Sequence, residues 1–331
     1  MPDDQTRTGS APRIMSTRAP AMAWTTQDVN TDRIYWSPGT SAPGGEPHWG
    51  EPSALLADDP AFSTTTPSLC GNQSPELMAW KGSGDNNIWY SQWDSAKNTW
   101  GPQIKRFKDQ TQNFPTLVRY RDRTFMFWQN SLDTGQESER DSIFWAEFAN
   151  GAWFHPGRPD LQIWENLDFT TDGVAAAWNT HTDSLYIVYR GYDGRLWLRE
   201  FDDGAGWDEN GPRPIGGAKT SAPPALACDG NVMFAAWRNI DDEHISWAWS
   251  VSGGTGAWFG PYTLTDRLTS SAPALAAVST GDVVMVWKGG GNDPRVWWSR
   301  LRNNEWGPQQ AFPDRWVHAD RRISLWAPTL G

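Results

Sequence analysis

Hydrophobic positions in this chain come in short runs, each closed by a turn. The stretch from Ser271 to Pro308 shows the unit: S-S-A-P-A-L-A-A, then D-V-V-M-V-W-K-G-G, then R-V-W-W-S, then N-E-W-G-P-Q. Apolar and polar positions alternate, β-branched and aromatic residues are enriched, and Gly, Asn and Asp punctuate the runs. That pattern predicts strands, not helices. Four consecutive strands joined by tight turns make one small antiparallel sheet, which cannot bury both of its faces alone.

The unit recurs along the chain. The Trp of the fourth run stands at Trp49, Trp100, Trp153, Trp207, Trp258 and Trp306, at intervals of 51, 53, 54, 51 and 48 residues. The second run ends at Trp24, Trp80-Lys81-Gly82, Trp128-Gln129, Tyr189-Arg190-Gly191, Trp237-Arg238 and Trp287-Lys288-Gly289. The third run reads Ile34-Tyr35-Trp36, Ile88-Trp89-Tyr90, Ile143-Phe144-Trp145, Leu196-Trp197-Leu198, Ile245-Ser246-Trp247 and Val296-Trp297-Trp298. The first run starts at Ala11-Pro12, Thr66-Pro67, Phe114-Pro115, Gly173-Val174, Ala222-Pro223 and Ala272-Pro273.

A four-stranded repeat of roughly 40–50 residues is the mark of a β-propeller blade. The expected fold is therefore all-β: a six-bladed β-propeller of four-stranded antiparallel blades, with seven blades as the alternative. Residues 1–9 read as a flexible tail and 10–331 as one propeller domain, with repeats at about 10–60, 61–110, 111–160, 161–215, 216–265 and 266–312. Residues 313–331 contain Ile323-Ser324-Leu325-Trp326-Ala327-Pro328, a further copy of a first strand. Its simplest role is to close the ring; a remnant seventh blade, or a strand given to a partner chain, are the alternatives. Repeat four diverges most, with Val174 in place of Pro, Tyr189 in place of Trp and an additional Trp178.

Composition narrows the partners. Hydrophobic residues make up only 38 % of the 331, but aromatics reach 13 % and include 24 Trp, which argues against disorder. The net charge of -11 speaks against a phosphate-tracking protein, so nucleic acid is an unexpected partner. No apolar run approaches the ~20 residues of a membrane span, so membrane insertion is not expected. The opening M-P-D-D-Q-T-R-T-G-S lacks the basic start and apolar core of a secretory signal. The expectation is a cytoplasmic protein, or one exported without a recognisable signal peptide. Cys70 and Cys228 fall in the first strands of repeats two and five, on opposite sides of a six-blade ring, and are expected as reduced, packed thiols.

No nucleophile, metal or phosphate motif stands out. The five His form no pairs at ligand spacing, and there is no Walker loop, dinucleotide fingerprint or nucleophile elbow. No cofactor or metal is expected. Acidic residues recur before the third strand at Asp32, Asp85, Asp141, Asp193, Asp242 and Asp293. A carboxylate pair can run glycoside hydrolysis, but recurrence in every blade favours a turn role, since Asp accepts backbone N–H bonds there. A polar residue follows the second-strand aromatic in each repeat: Thr25, Lys81, Gln129, Arg190, Arg238 and Lys288. Beside indoles, which stack on the C–H faces of sugar rings, such groups can bind hydroxyls. Most of the Trp pack between blades, but 24 exceed what packing requires, so some are expected to line grooves.

The repeat S-A-P-x-L … W-K-G … D-x-x-I-x-W-S … W-x-P-Q resembles that of the bacterial and fungal β-propeller lectins, of the kinds found in Photorhabdus and in Psathyrella velutina, over repeats one to six. The resemblance implies shallow sugar sites between neighbouring blades, each lined by Trp or Tyr with a few polar side chains. The matching positions are Trp80, Lys81 and Trp89; Trp237, Arg238 and Trp247; and Trp287, Lys288 and Trp297. Trp128, Gln129 and Trp145 are a further, less complete match, and Tyr189, Arg190 and Trp197 mark a site lost or changed in repeat four. Such lectins are typically seven-bladed, against six intact repeats here. The reading that results is a non-enzymatic, multivalent glycan-binding protein, with a homo-oligomer as one option for its assembly. Its alternatives are a propeller enzyme, such as a sialidase-like glycosidase with one site at the channel mouth, and a protein-interaction scaffold.

Overall fold

The computed structural model describes residues 13–14, 21–25, 32–40, 48–56, 58–71, 75–131, 141–154, 169–251, 256–279 and 281–312. Within them the chain forms six antiparallel sheets in sequence order and no helix, a six-bladed β-propeller. The tail 1–9, most of the loop between Ser131 and Arg140, and the 313–331 segment lie outside the described residues.

Each blade is a meander. In blade six the strands are Ala274–Ser279, Asp282–Lys288, Val296–Arg302 and Glu305–Trp306, paired in that order. The first strands of neighbouring blades lie side by side around the axis, and Arg13–Ile14 of blade one touches those of blades two and six. The sheets therefore close into a ring, and each blade is covered on both faces.

That double cover explains the second strands. Every residue of Asp282–Lys288 is buried, as is every residue of Ala21–Thr25. A strand sandwiched between two sheets has no solvent face, so it reads as a continuous apolar run and not as strict alternation. Its terminal aromatic fills the inter-blade space: Trp24, Trp80, Trp128, Tyr189, Trp237 and Trp287 are all at most 1 % exposed.

The outer rim follows a Trp with a proline shortly after it. In blades one, two, four and six the outermost position consists of two pieces, both paired to the third strand, and Pro52, Pro102, Pro212 and Pro308, which cannot donate to a ladder, lie between the pieces. The serine that ends the third-strand motif stabilises the break. Ser37, Ser91 and Ser299 donate to the carbonyls of Gly50, Gly101 and Gly307 at 2.6, 2.8 and 2.7 Å. Blade five instead carries one long outer strand, Trp258–Leu268.

The glycine at the first-strand entry of repeat four has a packing cause. Phe114 of blade three is 1 % exposed and clusters with Ala222 of blade five and Ala272 of blade six, which places its ring inside the central channel. A Cβ at residue 173 would collide with that ring, so blade four carries Gly173 where blades five and six carry Ala222 and Ala272. Both cysteines are free thiols. Burial raises each to about 12, at Cys70 and at Cys228 alike.

Candidate functional site

In a meander the entry to the first strand and the turn between strands two and three lie at the same end of the blade. Those two features meet between neighbouring blades on one rim of the ring. Ser63, Thr111, Thr170, Thr220 and Thr269 donate their backbone N–H to carbonyls of the preceding blade at Asp32, Asn86, Asp141, Gly194 and Glu243, at 2.8–2.9 Å. Each hydroxyl also accepts the N–H two residues on, at 3.1–3.3 Å, which folds the segment into a tight turn. This Ser/Thr column went unread in the sequence. Its signal was present, because each stands four residues before the position held by Pro67, Pro115, Val174, Pro224 and Pro273.

The next residue of the column holds the cation. Lys81 donates to Thr64 at 3.0 Å, Arg190 to Thr171 at 3.5 Å, Arg238 to Ser221 at 2.7 Å and Lys288 to Ser270 at 2.7 Å. Burial lowers the Lys81 ammonium against the pull of Asp85 and Asp32. It brings Lys288 down to about 8 against Glu243 and Asp293. Arg190 also pairs with Asp172 at 2.6 Å, and Arg238 with Glu243 at 3.4 Å. Gln129 donates to Asp141 at 2.5 Å and accepts from Asn113 at 3.3 Å.

The indoles divide into two classes. Trp80, Trp128, Trp237 and Trp287, assigned to groove walls from the sequence, are core residues with no exposed face. Directly across the sheet from them stand Trp89, Phe144, Ser246 and Trp297, and across from Tyr189 stands Trp197. Trp89, Trp197 and Trp297 are half-buried. Trp247 pairs with Ala236, one position out of that column. Since the side-chain period of a strand is two, Trp247 faces the other neighbour, where it is 8 % exposed against Tyr262 and Trp306. Ser246 takes the place expected for it.

Each half-buried indole is tied to a carboxylate. Trp89, Trp197 and Trp297 donate Nε1–H to Asp85, Asp193 and Asp293 at 3.4, 3.4 and 2.9 Å. The same carboxylates accept the N–H of Asn87, Arg195 and Arg295 at 3.0–3.1 Å, the turn role expected of these aspartates. A second cation completes the set. Lys105 bonds Asp85 at 2.9 Å with its ammonium 5.5 Å from the Trp89 centroid, and Arg295 bonds Asp293 at 2.8 Å and lies 4.5 Å from Trp297. Burial works to raise Asp85 and Asp293, but bonds from Lys105, Arg295, the turn N–H and the indole outweigh it and hold both below the usual carboxylate range. A Cβ on Gly191 would lie 2.7 Å from Trp197 Nε1, and one on Gly289 2.5 Å from Asp293 Cγ, which explains the glycine after the cation.

The chain has the fold of known sugar-binding propellers. It superposes on AofleA from Arthrobotrys oligospora with a TM-score of 0.64 at 10 % identity, covering 94 % of this chain and 88 % of that one. It superposes on the six-bladed lectin of Aleuria aurantia, described as fucose-specific, with a TM-score of 0.61 at 13 % identity, covering 93 % and 98 %. The microbial sialidase Hz136 gives 0.57 at 13 % identity over 87 % of this chain and 64 % of that one, so the propeller is shared with an enzyme as well. No protein-family model matches the sequence, and no curated protein does.

Two further features were missed in the sequence. Tyr192, 64 % exposed, stacks on Phe169 and donates to Asp141 at 3.1 Å, adding an aromatic wall between blades three and four. Blade four therefore keeps a full constellation despite its Tyr189. The central channel holds a cavity of ≈ 240 Å³ lined by Cys70, Arg119, Arg121, Trp178 and Cys228 among others. Its two arginines are already paired, Arg119 with Glu76 and Arg121 with Asp183 and Asp203. Among the described residues no cluster of three metal-ligating side chains occurs, and no helix is long and apolar enough to cross a membrane.

Proposed function

We propose that this protein is a non-enzymatic, multivalent carbohydrate-binding protein that holds sugar rings in the grooves between neighbouring blades. One observation carries the reading: a half-buried indole, locked in place by a carboxylate and set beside a hydroxyl-anchored cation, recurs around the ring. An apolar ring edge next to fixed donors and acceptors is what a pyranose needs, with C–H groups against the indole and hydroxyls on the polar groups. The residues that carry it are Trp89, Trp197 and Trp297 with Lys81, Arg190 and Lys288, while Arg238 and Gln129 line the grooves that lack an indole.

Hydrolysis finds little support in the same groups. It calls for one carboxyl raised to act as acid beside a second carboxylate. Burial raises Asp32 in the groove it shares with Asp85, but Asp85 and Asp293 are held low and the arrangement repeats where a catalytic centre would be single. Repetition suits avidity instead, because several weak sites on one rigid ring bind a glycan-bearing surface far more tightly than one. The fucose-specific lectin of Aleuria aurantia shares the architecture, which agrees with glycans as partners.

The test is a glycan array with the purified protein, followed by Trp fluorescence titration of each hit. Saturable binding to a related set of glycans is expected. A blank array with unchanged fluorescence would refute the reading.

A further inference from the structure

The six grooves are not equivalent. Counting back two residues from the buried aliphatic that opens each third strand (Ile34, Ile88, Ile143, Leu196, Ile245, Val296) gives Asp32, Asn86, Asp141, Gly194, Glu243 and Pro294. A carboxylate stands there in blades one, three and five and in no other. Counting back three gives Asp85, Asp193 and Asp293 in blades two, four and six, each bonded to its own indole. Blade five keeps Asp242 at that place but sets Ser246 where the indole would be. The ring is built from three blade pairs.

The pairing has a consequence across each groove. An odd blade turns its carboxylate towards the even blade that follows. Asp32 and Lys81 feel each other's charge between blades one and two. Asp141 accepts from Tyr192 between blades three and four at 3.1 Å. Glu243 accepts from the Gly291 N–H between blades five and six at 2.6 Å and offsets the burial of Lys288. In the other grooves the wall is Asn86, Gly194 or Pro294, and the facing side chain is Phe144, Ser246 or the buried Tyr35.

The geometry points to three composite binding sites per chain, in the grooves between blades one and two, three and four, and five and six, and none in the other three. This rests on the carbohydrate reading above and sets its valence. Each site joins an acidic wall (Asp32, Asp141 or Glu243) to an anchored cation and an Asp-locked indole on the facing blade. A sugar with one apolar face fits: the indole takes its C–H edge, and a hydroxyl bridges the carboxylate and the cation as donor to one and acceptor from the other. Each groove already sets carboxylates against its cations, so the ring it holds is uncharged. The chain is left with a threefold pattern of sites on one rim.

The test counts bound rings. Native mass spectrometry would be run with a panel of methyl α-L-fucoside, methyl α-D-galactoside, methyl α-D-mannoside and N-acetylglucosamine. The panel member that binds is expected to saturate at three per chain. Trp89→Ala, Trp197→Ala and Trp297→Ala are each expected to reduce the count to two, and the triple variant to zero. Should an indole variant fail to fold, Asp32→Asn, Asp141→Asn and Glu243→Gln leave the aromatic packing intact, and each is expected to weaken one site about tenfold or more. Asn86→Ala, in a groove of the other kind, should leave three. Saturation at five or six, or binding that survives the triple variant, overturns the alternate-groove assignment while sparing the carbohydrate reading. Absence of binding across the panel, together with a blank glycan array, removes both.

Discussion

Trp297 donates its indole N–H to Asp293 across 2.9 Å, and the same carboxylate accepts the Arg295 backbone N–H at 3.1 Å. One side chain thus sets both the turn that ends the second-to-third-strand connection and the orientation of the indole that follows it. Replacing Asp293 with Ala leaves the indole N–H and the turn N–H without their acceptor. A net loss of about 1–2 kcal/mol follows from removing charge-assisted bonds of this kind. Asp242→Ala in blade five, where Ser246 replaces the indole, should cost less. Chemical denaturation of the two variants gives the comparison.

Lys288 carries a pH signature. Its ammonium is pushed by burial from 10.5 to about 8. Below about 8 both folded and unfolded chains hold the proton, and the desolvation penalty is fully present. Between about 8 and 10.5 the unfolded chain binds more protons, so this group's contribution to stability rises with pH. Lys288→Met removes the penalty altogether. The expected result is a Tm difference between variant and parent that is most favourable to the variant near pH 7 and shrinks as pH approaches 10.5. A difference that is constant over that range would mean the lysine titrates normally.

The two classes of Trp predict opposite outcomes on substitution. Trp80 is 1 % exposed between blades one and two, so Trp80→Ala opens a large cavity and is expected to cost about 3–5 kcal/mol. Trp89, across the sheet from it and half-buried, should cost roughly 1–2 kcal/mol. Binding should respond in the reverse order, with Trp89→Ala abolishing one site. Equal stability losses would place Trp89 in the core and out of the groove.

The architecture was legible because the aromatic columns mark every second and third strand, and a Trp with a proline shortly after it marks every fourth run. The site was legible in part. Lys81, Arg190 and Lys288 were singled out as candidates because they follow a fixed aromatic, and Trp89, Trp197 and Trp297 because they stand in the third-strand motif. Trp247 misled because aromatic identity, not register, was matched: a shift of one residue moves a strand side chain to the opposite face. The spacing D-x-x-x-W misleads in the same way. Asp32 to Trp36 and Asp141 to Trp145 repeat it, yet those indoles pack into the following blade, on Trp93 and Trp100 and on Phe201 and Trp207, while Tyr35 and Phe144 occupy the strand position that Trp89, Trp197 and Trp297 hold. The Thr/Ser anchors were invisible for another reason. Their partners lie 17 to 19 residues away in sequence and meet them only when the blade folds.

Phe114 and Gly173 form a lock on the channel that neither residue reveals alone. The ring of Phe114 reaches from blade three to Ala222 and Ala272, and it fits only because blade four has no Cβ at residue 173. Ring and backbone are both buried, so neither yields cheaply, and Gly173→Ala is expected to lower stability by about 1–3 kcal/mol, the usual cost of overpacking. Phe114→Ala should destabilise more than that, by about 3–5 kcal/mol. The double variant then separates two explanations. If the glycine serves only to admit the ring, Gly173→Ala costs almost nothing once Phe114 is Ala, and a double-mutant cycle returns a coupling close to the full single-variant loss. If Gly173 serves the backbone, the two losses add. The first outcome is expected, since a Cβ there meets the Phe114 ring and residue 173 has no positive φ.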